Sequence, residues 1–245
     1  MDPLAAPAAL ARALAGGALG LVAGSFVATL IARWPQGQSL GGRSRCPGCG
    51  APIAAHDLIP LVAFIRLKGR CRTCGAAIPR LYPAIEGVAA LMGAAALAAT
   101  PGGPGVAGAL MGWLLLALAC LDARHWWLPD RLTWPLLALG LAAGPAPLGQ
   151  RLAAVAIAGG GLSLLRLGYR HLKGREGMGL GDVKLAAAIA SWLSPMWLAP
   201  FMGLAALLGL MAVARRPATR VVPFGACLAV AGWATWLAAT LAGHG

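Results

Sequence analysis

Asp122, in Leu121-Asp122-Ala123-Arg124-His125, and Asp182, in Gly179-Leu180-Gly181-Asp182-Val183-Lys184, each stand where a long apolar run meets a short polar loop. Only seven Asp and Glu occur among 245 residues, and ionisable groups at membrane depth are costly enough to mark chemistry. Two carboxyls a few ångströms apart retain one proton near neutrality, because the charge of one opposes ionisation of the other. One can then take a proton from water while the other polarises a carbonyl, the division of labour that peptide hydrolysis by aspartates requires. Gly179 and Gly181 let the backbone beside Asp182 approach a partner helix or an extended substrate closely. The same stretch also reads as a plain flexible loop with Asp182 as the N-cap of the next helix.

The remaining acids sort by context. Asp2 is terminal and Asp57 lies in a polar loop, so both read as solvated. Glu86, one turn beyond Tyr82-Pro83, reads as an anion near a helix start or a polar contact between helices. Glu176 adjoins Arg175 in a basic loop, which leaves Asp130 as a third candidate for acid and base work.

The elements that must position these groups are membrane helices. Apolar residues make up 59% of the chain and charged residues 11%, with a mean hydropathy of +0.75, a balance foreign to a soluble globule. The apolar runs are continuous rather than alternating, which predicts helices and not a barrel. The fold class is therefore all-α, a polytopic helix bundle with about eight spans, near 10–32, 83–99, 105–121, 132–149, 151–169, 183–194, 197–213 and 221–241. Within 183–213, Ser191-Trp192-Leu193-Ser194-Pro195 reads as a tight hairpin or as a kink in one segment, and a kink leaves seven spans. Residues 10–32 exceed a secretory h-region and carry their basic flank after the run, which predicts an uncleaved anchor.

A net charge of +13 invites a nucleic-acid reading, but the placement of the charges argues against it. Of the 20 Lys and Arg, 18 fall in or next to the loops 33–80, 122–131, 166–182 and 214–220, which alternation puts on one side. Arg12 and Arg151 alone fall on the other, and segments 100–105 and 191–196 carry neither residue. This is the positive-inside pattern, with attraction to anionic membrane lipid as a secondary effect and no nucleic-acid partner. It puts Asp122 and Asp182 together at the cytoplasmic rim and both termini outside. The expected organisation is an anchor over 1–33, a small cytoplasmic zinc-knuckle loop domain over 34–81 and a transmembrane catalytic domain over 82–245.

Cys46-Pro47-Gly48-Cys49 and Cys71-Arg72-Thr73-Cys74 are paired C-x-x-C knuckles inside the large polar loop. Two such knuckles present four thiolates in the tetrahedral set that structural zinc prefers, and closing them lets a short loop hold a fold without a core. A cytoplasmic loop disfavours disulfides, and two symmetric knuckles disfavour a redox pair. His56 reads as a surface residue, and Cys120 and Cys227 as small core residues within apolar runs.

A set of motifs runs almost from end to end: Gly24-Ser25-Phe26 followed by Arg33-Trp34-Pro35; the four knuckle cysteines; Ile59-Pro60-Leu61; Lys68-Gly69-Arg70-Cys71; Tyr82-Pro83-Ala84-Ile85-Glu86; Leu121-Asp122 followed by Leu128-Pro129-Asp130; Glu176-Gly177-Met178-Gly179-Leu180-Gly181-Asp182-Val183-Lys184; and Pro223-Phe224-Gly225. With these the chain resembles the prepilin leader peptidases, membrane aspartic peptidases of type IV pilus and type II secretion systems, many of which also methylate the new N-terminus. The resemblance implies Asp122 and Asp182 as the catalytic pair, with Asp130 a neighbour and Lys184 a residue that holds substrate or anchors the helix at the interface. It implies prepilin or pseudopilin substrates with a short basic leader, cleavage at the cytoplasmic boundary of the bacterial inner membrane, and S-adenosylmethionine as methyl donor. Ala28 stands where the family commonly has Asn, which makes methyl transfer the less secure of the two activities. Arg124 stands where relatives often have a second acid, a change expected to tune substrate contacts.

Two other classes compete. A proton-coupled transporter would bury its carboxylates mid-span and carry internal repeats, and no convincing repeat is present. A zinc-knuckle membrane adaptor would need the cysteines but not the glycine-flanked aspartates. A zinc protease is weaker still, since no His-Glu-x-x-His helix occurs.

Overall fold

Runs of Ala, Leu and Gly, punctuated by Pro and Gly, fold in this computed structural model into nine α-helices among the described residues, 5–215 and 221–243. Asp2 and residues 216–220 of the basic loop expected at 214–220 lie outside that set. The chain divides into two compact units, Met1–Ala98 and Ala99–Gly245.

The N-terminal unit holds α1 (Ala5–Arg33), the short α2 (Val62–Arg66) in the cysteine loop, and α3 (Leu81–Ala99). Gly16, Gly20 and Gly24 recur every four residues and so share one face of α1. The backbone of α3 lies directly on that face: a methyl on Gly20 would run into the Ala89 carbonyl, and one on Gly16 into that of Gly93. Between helices in lipid, such close packing of small residues takes over from the hydrophobic effect. At the far end Arg12 Nε donates to Leu97 O at 3.2 Å, capping the last turn of α3.

The C-terminal unit holds α4 (Gly103–His125), α5 (Asp130–Ala143), α6 (Leu148–Lys173), α7 (Leu180–Ala190), α8 (Leu198–Arg215) and α9 (Phe224–Leu241). α9 packs on α4, α7 and α8, and α7 packs on α5 and α6 as well. Gly108 of α4 leaves room for the Trp236 indole, and Gly232 of α9 for Ile189. Six of the eleven residues of α7 are buried, which makes it the centre of the unit. Leu164 and Leu210 are among the side chains that face outward, as lipid contact requires.

Each of the eight expected spans falls on one helix, but six helices among the described residues are long and apolar enough to cross a bilayer. The other two are α5, with 14 residues, and α7, with 11, against roughly 20 for a full crossing. The reason lies in the segment that reads as hairpin or kink. α7 stops at Ala190, the chain turns through 191–194, and a 3₁₀ turn over Pro195–Trp197 leads into α8. Trp192 Nε1 donates to Leu136 O at 3.0 Å and Ser191 Oγ to Leu137 O at 3.3 Å, using carbonyls of α5 just beyond its internal Pro135. Arg151 Nη1 closes the other end of α5, donating to the Gly140 and Leu141 carbonyls at 2.8 Å each.

Gly20→Leu is expected to cost about 1–3 kcal/mol through overpacking of α1 on α3. Gly87→Ala, whose added methyl meets nothing within 4 Å, is expected to be neutral or stabilising because Ala favours helix. Thermal unfolding of the two variants in one detergent checks the contrast.

Candidate active site

Asp122 lies in the last turn of α4, buried at 6% exposure. The helix ends at Trp126, whose left-handed φ of 54° turns the chain toward α5 while its N–H still reaches Asp122 O at 3.0 Å. An isolated carboxylate here needs donors, and α9 supplies them. Ala226 N–H donates to Asp122 Oδ2 at 2.9 Å, and the Gly225 N–H also bonds to it. These are first-turn amides of α9, which have no partner inside their own helix, and a carboxylate there is favoured by the helix dipole.

Asp182 is not an N-cap. Gly179 holds that position in extended geometry, and Asp182 is the third residue of α7, with its side chain reaching back to the Gly179 N–H. This is the returning half of a capping box. The loop before it is strapped to α6: Arg166 Nε donates to Met178 O at 3.1 Å and Arg166 Nη2 to Glu176 Oε1 at 2.7 Å, while the Tyr169 ring fills the space where Gly177 lacks a side chain.

The structure brings the two aspartates close enough for the charge of Asp122 to act on Asp182. Leu128, in the α4–α5 turn, is the wedge between their supports. A methyl on Gly181 would stand 3.2 Å from Leu128 Cβ, and one on Gly225 would stand 2.8 Å from Leu128 Cδ1 and 2.9 Å from Asp122 Oδ2. Both glycines are thus spaces into which one leucine fits. Leu128 and Gly225 belong to quoted motifs and Ala226 follows one, yet their part in the site has no signal in residue type or spacing. Gly179 and Gly181 sit where the sequence puts them, beside Asp182.

Lys184 and Asp130 meet each other rather than the pair. Lys184 Nζ donates to both Asp130 oxygens, at 2.9 and 2.8 Å, joining the second turn of α7 to the first residue of α5. Cys227 lies within electrostatic reach of both aspartates.

In the N-terminal unit the four knuckle sulfurs gather with all Sγ atoms within 4.8 Å of one another, a set that could hold a metal ion. The two knuckles repeat the same backbone. Cys46 and Cys71 each accept from a glycine four residues on, Gly50 at 2.8 Å and Gly75 at 3.0 Å, and each donates to the alanine that follows it. Gly50 and Gly75 have φ of 70° and 71°, a conformation that only glycine adopts freely. The N–H groups of Cys74 and Thr73 point at Cys71 and bring its thiol down to about 6, while Cys74, despite the Ala76 N–H, is pushed up to about 11 by the neighbouring sulfurs and burial. His56 is exposed and lies outside the cluster, 3.7 Å from Asp57. Glu86 is buried in the same unit, accepting from Leu61 N–H at 2.8 Å and from the Ser25 hydroxyl.

Two family models match the sequence: the Bacterial Peptidase A24 N-terminal domain over residues 18–100, and the Type IV leader peptidase family over residues 109–214. The chain is 40% identical over 204 residues to a prepilin leader peptidase/N-methyltransferase of Aeromonas salmonicida (strain A449), covering 78% of this chain and 69% of that one. It is 35% identical over 244 residues to the type 4 prepilin-like proteins leader peptide-processing enzyme of Escherichia coli O78:H11, covering 88% and 90%. A prepilin leader peptidase/N-methyltransferase of Pseudomonas aeruginosa is 35% identical over 251 residues, covering 88% and 86%. No solved structure matches.

With side chains 33% and 52% exposed, the Lys184–Asp130 pair is expected to contribute at most about 1 kcal/mol. A double-mutant cycle of Lys184→Gln and Asp130→Asn, read by thermal unfolding, checks this; a larger coupling would place the pair in a drier setting than its exposure indicates.

Proposed function

Because the chain belongs to the type IV leader peptidase family, we propose that it is a membrane aspartic endopeptidase with Asp122 and Asp182 as its catalytic pair. Its substrates are type IV prepilins or type II secretion pseudopilins, cut at the cytoplasmic boundary of the bacterial inner membrane. The observation that supports this reading is that two carboxyls sixty residues apart in sequence lie within electrostatic reach of each other, on helices whose glycines both pack on Leu128. The transporter and adaptor readings are not favoured by that membership.

The pair supplies the chemistry. With one proton shared between them, the ionised carboxylate takes a proton from water as the water oxygen attacks the scissile carbonyl carbon. The protonated carboxyl hydrogen-bonds the carbonyl oxygen as it gains negative charge. Collapse of the tetrahedral species breaks the C–N bond, and the proton taken from water passes to the leaving nitrogen. Asp182 is the less covered of the two, while Asp122 is buried and held by the amides of α9. Lys184, engaged by Asp130, serves the placement of α7 rather than the carbonyl.

Cys46, Cys49, Cys71 and Cys74 hold a structural zinc ion in this reading. A tetrahedron with Zn–S bonds of about 2.3 Å separates its sulfurs by about 3.8 Å, and Cys46 Sγ and Cys74 Sγ stand 3.8 Å apart. S-adenosylmethionine would supply a methyl group for the new N-terminal amine. The amine would have to be neutral to accept it and would gain the positive charge that the sulfonium loses, and the buried Glu86, with its Ser25 and Leu61 partners, is the carboxylate of the N-terminal unit suited to such a charge. Ala28 is buried within α1 and adds no polar group.

Asp122→Asn and Asp182→Asn are each expected to lower cleavage of a prepilin-type reporter by at least about 1,000-fold at equal expression. Cleavage retained by either variant would remove that residue from the mechanism. Elemental analysis is expected to find one zinc per chain, with the metal lost from Cys46→Ser and Cys71→Ser; a metal-free protein of unchanged stability would defeat the zinc assignment.

A further inference from the structure

The cysteine loop, 34–80, holds seven Lys and Arg against one acid, Asp57, and three of the cations that no carboxylate answers line one cavity. Asp57 takes up two others: Arg72 grips it through Nε and Nη2, both at 2.8 Å, and Arg66 Nη2 bonds the same group. Arg72, helped by Arg66, holds that carboxyl well below the usual carboxylate range. Lys68, Arg70 and Arg80 have no acidic group within 4.0 Å among the described residues. All three line a cavity of about 300 Å³, together with Phe64, Gly69, Ala77 and Ile78, and Arg70 Nη1 also reaches Gly75 O at 3.4 Å.

The segment that leads into Lys68 exposes aliphatic side chains where a soluble loop would be polar. Ile59, Val62 and Ile65 are 49, 53 and 73% exposed. Val62 and Ile65 share a face of α2, three residues apart, and Lys68 follows directly, its N–H bonding Ile65 O at 3.1 Å. Phe64 lines the cavity, and its ring packs on Gly69 where a side chain would be. Arg80 is the last residue before α3, a helix able to cross a bilayer. Cations beside exposed aliphatic side chains at the entry of a membrane helix are what an anionic bilayer surface attracts.

We propose that this cavity is a binding site for the phosphate-bearing headgroup of an anionic phospholipid, with Ile59, Val62 and Ile65 set against the acyl boundary. Lys68, Arg70 and Arg80 surround the phosphate. A zwitterionic headgroup would bring its own cation into an already basic cavity, and a free anion would leave the apolar edge uncovered. The proposal is independent of the chemistry of the aspartates, and its test measures binding, not cleavage.

The test uses the full-length protein in a neutral detergent, titrated with short-chain phosphatidylglycerol, phosphatidylcholine and inorganic phosphate, with bound ligand counted by native mass spectrometry. Phosphatidylglycerol is expected to saturate one site at least about tenfold more tightly than either of the others. Lys68→Gln with Arg80→Gln is expected to weaken it about tenfold with metal content and unfolding temperature unchanged, and Ile65→Gln to weaken the lipid but not phosphate. If the double variant does not fold, Lys68→Gln alone carries the test, since that side chain is exposed. Phosphatidylcholine binding as tightly, inorganic phosphate binding as tightly, or full affinity in the folded cation variants would each overturn the proposal.

Discussion

The hydrogen bond from the Ala226 amide to Asp122 Oδ2 answers two requirements with one contact. A carboxylate buried at the end of α4 needs donors, and the first turn of α9 has amides without acceptors. Meeting both ties together segments separated by 104 residues and puts the Gly225 backbone against the acid. Only then is there a slot for Leu128, and only with Leu128 in its slot does α7, packed on it through Gly181, present Asp182 on the same side. The site is therefore built from the contact outward, with the helices following from it.

Elsewhere the chain answers its few acids by other means. Lys184 holds Asp130, Arg166 holds Glu176, two arginines hold Asp57, and a backbone amide with a serine hydroxyl holds Glu86. Each partner sets local geometry as well as offsetting charge. The pairing of Arg72 with Asp57 fixes the second knuckle to the rest of a loop that has almost no core, since Ala63 and Cys46 are its buried apolar residues. Four gathered thiols and one shared carboxylate are what this loop has in place of hydrophobic packing.

Much of this was legible in the sequence because rare residue types stood out against an apolar background. Asp122, Asp182 and the four cysteines are conspicuous for that reason, and the all-helical membrane class follows from continuous apolar runs. Their partners were not legible. Nothing in the pattern around Leu128 or Gly225 announces a wedge and its slot, because both act across the fold and look like ordinary small or apolar residues. Lys184 could be read as a substrate ligand from its position alone, and it took the fold to bring Asp130 to it from 54 residues away. The lengths of α5 and α7 escaped for a different reason: apolarity measures burial in protein as readily as burial in lipid, and α7 is buried in protein. Gly16, Gly20 and Gly24 lay in plain view at helical spacing, but a glycine stripe acquires meaning only from the α3 backbone opposite it.

The two arginines that break the charge pattern, Arg12 and Arg151, both end on the terminal carbonyls of a neighbouring helix. For α5 this bears on how the helix is held. A segment of 14 residues interrupted by Pro135 is poorly suited to settle in a bilayer by itself, and its exposed carbonyls have no lipid partner. They acquire one from Arg151 at the start of α6, so α5 is complete as half of a hairpin with α6 and incomplete alone. The helix that follows the Leu128 turn is thus secured from its far end, by an arginine that has no part in the chemistry.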